Sequence, residues 1–171
     1  MINQILSFVL HLRKQLSYEC VANTYATAIE FEHYLRNEEK DSGVYFSPAL
    51  VRRLDDDLRE ALRLKEGQGV DFWRAGNALA KAGYFKKVKL ADKHDAPPIM
   101  IIRQNYEGDR VKNGKWYIPP GAAKLNSTHA LVSYGNDDEK NMFMTDSGNG
   151  KAYILPVEYQ FCVLQCWKII L

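Results

Sequence analysis

At Tyr84 the chain changes period, and this switch constrains its fold more than any other feature. Before it, apolar residues recur at helical spacing. After it, short runs rich in β-branched and aromatic residues alternate with turn residues. A helical half followed by a strand-rich half predicts an α+β unit in which helices pack on a sheet.

The helical half reads as three segments. Val21, Tyr25, Ala28, Ile29 and Leu35 place a helix over residues 20–36, with Ser17 as a candidate cap. Ser47 followed by Pro48 is a cap residue before proline at the first helical position. Leu50, Val51, Leu54, Leu58, Ala61 and Leu62 then line one face, and Gly67 marks the end. Asp71 caps a third helix with Phe72, Ala75, Ala78, Leu79 and Ala82 inward, and Gly83 terminates it.

In the second half, strands are predicted at 85–90, 99–104, 115–118, 130–134, 141–145, 152–156 and 161–170. Gly135, Asn136, Asp137 and Asp138 form a hairpin turn, because Gly and Asn accept positive φ and Asp bonds its own backbone. The hairpin makes the strand after His129 antiparallel to the strand ending at Asp146, bringing the two ends to one sheet edge. A linker is expected over 92–98. With 171 residues, 46% of them hydrophobic, the chain supports one core, so residues 1–171 form a single domain with a helical subdomain at 1–83 and a β subdomain at 84–171.

Charge narrows the partners. Lys and Arg number 23 against 21 Asp and Glu, for a net charge of +2, too little to draw the chain to phosphate polymers, so no nucleic-acid partner is expected. Lys86, Lys87 and Lys89 read as a solvated strand face. No run approaches a membrane span, and the stretch from Ile5 to Leu10 lacks the flanks of a signal peptide. An odd count of three cysteines favours a reducing compartment: the cytoplasm, or delivery as an effector without a cleavable signal.

Three residues carry the candidate chemistry. Cys20 opens a helix, where unpaired amides and the helix dipole favour a thiolate. Cys162 and Cys166 lie on one face of an apolar run and read as buried small hydrophobes; no ligand set for a metal accompanies them, and no cofactor is implied. Among the four histidines, His129 begins a β-run, whereas His33 lies well past the first turn of its helix and His11 and His94 have polar or irregular surroundings. An imidazole beside a thiolate stabilises the ion pair and later protonates a leaving group. Asp146 ends the strand folded back against that of His129, where an acceptor for the second imidazole N–H belongs.

The segment from Gln15 to Glu30, QLSYECVANTYATAIE, resembles the Gln…Cys-x-Ala opening of papain-like cysteine peptidases, especially compact bacterial members. The segments 45–48 (YFSP), 66–69 (EGQG), 128–132 (THALV) and 141–148 (NMFMTDSG) follow in family order. The resemblance spans about residues 15 to 160 in order and spacing. It implies a papain-like fold, a helical half packed on a twisted antiparallel sheet or half-barrel with the cleft between them. It also implies Cys20 as nucleophile, His129 as base and acid, Asp146 as the orienting residue, and Gln15 as a side-chain donor to the oxyanion. The function so implied is a cysteine hydrolase, a peptidase, amidase or isopeptidase, acting on a protein or peptide substrate. Transglutaminases, deamidases and arylamine acetyltransferases order the same three residues alike, and a binding module that has lost activity is the non-enzyme alternative. Asp55, Asp56 and Asp57 read as a solvent face, and Trp73, Trp116 and Trp167 as core or cleft wall.

Overall fold

The structure, a computed structural model, describes residues 20–36, 48–66, 68–146 and 151–171. Over these it is α+β. Helices α1 (Cys20–Arg36), α2 (Pro48–Leu62) and α3 (Phe72–Lys81) precede strands β1 (Lys87–Leu90), β2 (Ile99–Tyr106), β3 (Arg110–Lys112), β4 (Lys115–Tyr117), β5 (Lys124–Asn136), β6 (Met142–Asp146) and β7 (Lys151–Leu155). A 3-10 helix, η1 (Val157–Cys162), leads into β8 (Val163–Ile170).

Helix α1 is the hub. Every residue from Val21 to Phe31 is buried, including Asn23, Thr24, Thr27 and Glu30. That pattern departs from the single apolar face read from the sequence, and Leu35, expected inward, is 47% exposed. The reason is that α2, α3 and the sheet surround the helix, so its first three turns have no solvent side. Tyr25 is fully buried. Its ring stacks on Phe72 at 4.6 Å and Phe85 at 5.6 Å, and its hydroxyl donates to the Phe72 carbonyl at 2.9 Å. Phe31 meets Tyr134 of β5 edge-on at 4.9 Å.

The caps of α3 are as the sequence implies. The Arg74 N–H donates to the Asp71 carboxylate at 2.9 Å, a contact worth about 1 kcal/mol. At the other end Gly83, at φ +91°, lets Tyr84 N–H reach back to the Leu79 carbonyl at 3.1 Å. Helix α2 buries Val51, Leu54 and Leu58. It stops at Leu62, with Arg63 at φ +52° as the terminator, and Gly67 lies outside the described residues, as do Ser17 and Ser47.

The eight strands form one sheet in the order β1-β8-β2-β5-β6-β7-β4-β3, which does not close. It is mixed rather than antiparallel throughout, because β4 pairs parallel to β7 through Lys115 and Ile154. Its helix-facing side carries Met100, Ala130, Val132, Tyr134, Trp167 and Ile169, all in one cluster with α1 to α3. The opposite side carries Ile99, Ile101, Leu131, Met142, Met144, Tyr153 and Leu155 with Trp116, Cys162 and Cys166. The sheet curls around this second cluster. Arg103 of β2 lies 3.6 Å from the Trp116 ring of β4, four places away, where flat strands would be about 19 Å apart.

Candidate active site

Two elements bring the candidate residues together. Cys20 is the first described residue of α1, and His129 lies in β5, against which α1 packs. The strand starts at Lys124 rather than just after His129. His129 stands where β5 passes from an exposed stretch, Lys124 to Thr128, into its buried run, Ala130 to Tyr134. Both Cys20 and His129 are half-buried, protected from bulk water yet reachable.

The environment of the Cys20 sulfur is opposed to its burial. Burial pushes the thiol up; a hydrogen bond and the charge of His129, together with the amides of Ala130 and Val21, outweigh it and hold the thiol below its ordinary value. A sulfur so placed gives up its proton more readily than an ordinary thiol. The other cysteines are the reverse case. Burial pushes Cys162 and Cys166 each up to about 11, so both stay thiols at neutral pH. Cys166 is on β8, but Cys162 belongs to η1 rather than to the strand, so the shared environment comes from one cluster and not from strand alternation.

The β-ladder places the third residue. Val132 of β5 pairs with Thr145 of β6, and Asp146 is the next residue, its backbone paired with Lys151 of β7. Asp146 thus ends β6 at the level of Leu131, two residues from His129. Its side chain lies outside what the structure describes, and so does all of Gln15. His33 and His94 are exposed, and His11 is outside the described residues.

One neighbour of the site was not singled out from sequence. Arg103 of β2 is the register partner of His129 and is 3% exposed. Its guanidinium stacks on Trp116, donates to the Tyr153 hydroxyl at 2.6 Å and to Asn105 Oδ1 at 3.3 Å, and pairs with no carboxylate among the described residues. The sequence signal is a lone arginine directly after the apolar run Ile99 to Ile102.

A surface groove of about 620 Å³ between α2 and α3 is lined by Ala61, Leu62, Trp73, Asn77 and Lys81, and touches none of the candidate residues. No group of three or more His, Cys, Asp and Glu among the described residues is arranged to hold a metal, and no helix among them is long and apolar enough to cross a membrane. Comparison with family models, with curated proteins and with solved structures gives no match for this chain.

Proposed function

We propose that the chain is a papain-like cysteine hydrolase acting on protein or peptide substrates through an acyl-enzyme. The observation that carries this reading is the half-buried Cys20 sulfur at the start of α1, held below the usual thiol range by His129 and two backbone amides. The order Cys20, His129, Asp146 and the ladder that ends β6 two residues from His129 support it further.

In the proposed reaction the Cys20 thiolate attacks the substrate carbonyl and forms a tetrahedral oxyanion. Gln15 and the Cys20 N–H stabilise that oxyanion, each donor contributing about 3 kcal/mol. The C–N bond breaks as the His129 imidazolium protonates the leaving amine, which leaves a thioester on Cys20. Water, deprotonated by His129, then attacks the thioester and releases the carboxylic acid and free Cys20. Asp146 accepts from the second imidazole N–H and fixes the ring's tautomer.

The test is trapping. A peptidyl acyloxymethyl ketone should alkylate Cys20 alone, with the modified residue mapped by mass spectrometry, and turnover of a mixed-peptide substrate should vanish in Cys20→Ala. Full turnover in that variant would remove Cys20 from the mechanism.

A further inference from the structure

The candidate site is continuous with a sheet edge that pairs with no described strand, and the backbone itself says which way that edge points. Along a strand, the N–H and C=O of alternate residues face opposite neighbours. Just past β2, Glu107 N–H donates to the Ala123 carbonyl at 2.9 Å, so odd-numbered positions face β2 at this end. The carbonyls of Leu125 and Ser127 agree, accepting from the Gln104 side-chain amide of β2 at 2.6 and 3.1 Å. Even-numbered positions therefore face the other way, toward β6.

Before Val132, no described strand pairs with that side of β5. At this level helix α1 packs on β5, and His129 and the Ala130 amide both lower the Cys20 thiol. Below it, the backbone groups of Thr128, Asn126 and Lys124 face outward with no described partner, and the side chains from Lys124 to Thr128 are all exposed. The inner side of the same stretch is treated differently. A register shift sets two steps of β2 (Gln104 to Tyr106) against four of β5 (Thr128 to Lys124) and would leave inward carbonyls unpaired. Gln104 satisfies them, and Asn105 Nδ2 donates to Ser127 Oγ at 3.1 Å. So the inner face of this irregular stretch is closed by dedicated side chains, while the outer edge has no partner among the described residues and leads toward Cys20.

We propose that the outward edge of β5 at Lys124, Asn126 and Thr128 docks the substrate as an extended polypeptide segment, which adds to the sheet as a strand and carries its scissile carbonyl to Cys20. The occupant is an unstructured stretch of polypeptide, because only a main chain offers donors and acceptors at the two-residue repeat of this edge. Leu125, 44% exposed, supplies an apolar contact beside it. The inference rests on Cys20 being the nucleophile and adds the conformation of what it attacks.

The experiment compares two substrates in the full chain, a mixed-sequence internally quenched decapeptide and p-nitrophenyl acetate, which is too small to use the edge. Asn126→Pro removes an outward amide and leaves the inward ladder donors in place, a substitution that edge strands accept. Asn126→Ala removes the side chain and keeps the amide. The ratio of kcat/KM for peptide over ester should fall about tenfold or more in Asn126→Pro, from lost main-chain hydrogen bonds, and hold in Asn126→Ala. An unchanged ratio in both variants would overturn the edge and leave the nucleophile standing. So would an unchanged ratio accompanied by loss of self-association in Asn126→Pro, since the edge would then pair two copies of the chain. If wild type is acylated by neither substrate, the nucleophile reading fails and the edge with it. A second measurement needs no proline: in Cys20→Ala, excess decapeptide should slow hydrogen exchange at the Asn126 and Thr128 amides about tenfold, and unslowed exchange overturns the proposal.

Discussion

The Cys20 thiol is lowered by two neighbouring residues of β5, by the His129 side chain and by the backbone amide of Ala130, the residue that follows it. One strand thus acts on one sulfur through two groups, an imidazole and a main-chain amide, and a small shift of β5 would change both.

The first consequence is a pH profile. The thiol lies below its ordinary value because His129 and the amides outweigh burial, so alkylation of Cys20 by iodoacetamide should reach half its maximum at a lower pH than that of a model thiol. In His129→Ala burial is left opposed only by the amides, and the midpoint should move upward past the wild type. A midpoint at or above that of a model thiol in the wild-type protein would show that the sulfur is not activated.

Thiol counting separates the three cysteines. Cys20 should react with Ellman's reagent in seconds to minutes in the folded protein, while Cys162 and Cys166 wait for unfolding. Their folded values of about 11 lie above the unfolded value of about 9. They therefore contribute stability that is fully present below about 9 and is lost as pH rises through about 11. Thermal scans in Cys162→Ala should show a shallower fall over that alkaline window, and an identical slope to wild type would contradict it.

Arg103 tests the second cluster. Arg103→Ala removes the group stacked on Trp116 and strips the Tyr153 hydroxyl of its 2.6 Å donor, so it should cost about 3 kcal/mol in denaturant unfolding. Arg103→Met fills the space without the charge and should cost less than half as much, since a buried charge gives back much of what it gains. Equal losses in the two variants would mean that the cation, not the packing, matters there.

Gly76 tests how closely α3 approaches its neighbours. A methyl group there would press on the Tyr25 hydroxyl and sit 2.6 Å from Val88 Cγ1, so Gly76→Ala should destabilise by about 1–3 kcal/mol despite alanine's higher helix propensity. A rise in the melting temperature would refute the close packing of α1, α3 and β1.

In the proposed reaction Asp146 orients the His129 ring and takes no part in the bond-breaking step. Asp146→Asn should lower kcat by about 100-fold or more with little change in KM, the pattern of a wrongly held imidazole. A change confined to KM would move Asp146 out of that role and into substrate binding.

The helices were legible because their signals are local: the Asp71 cap, the Gly83 terminator and the inward faces of α2 and α3 all sit within a few residues of one another. The strands were legible only where a face is covered. The stretch from Lys124 to Thr128 is exposed on both sides, so it has no two-residue alternation to read, and β5 was expected to start after His129. The hairpin between β5 and β6 falls slightly later than expected, since Asn136 still pairs with Met142 and the Asp137 carboxylate holds Asn141 N–H at 2.8 Å. Arg103 was overlooked for another reason: its partners Trp116 and Tyr153 are brought to it by the curl of the sheet, which no local pattern encodes. The parallel contact of β4 with β7 is hidden in the same way. Cys20 and His129 are candidates by residue type and order, whereas the Ala130 amide that also lowers the thiol is a main-chain group and leaves no mark in a string of side chains.

Strand β5 contributes Ala130, Val132 and Tyr134 to one hydrophobic layer and Leu131 to the other. A single rod therefore reports on both halves of the molecule. Melting either layer would let that rod drift and take its imidazole and amide away from the sulfur, so a partly unfolded chain would carry an ordinary cysteine at this position.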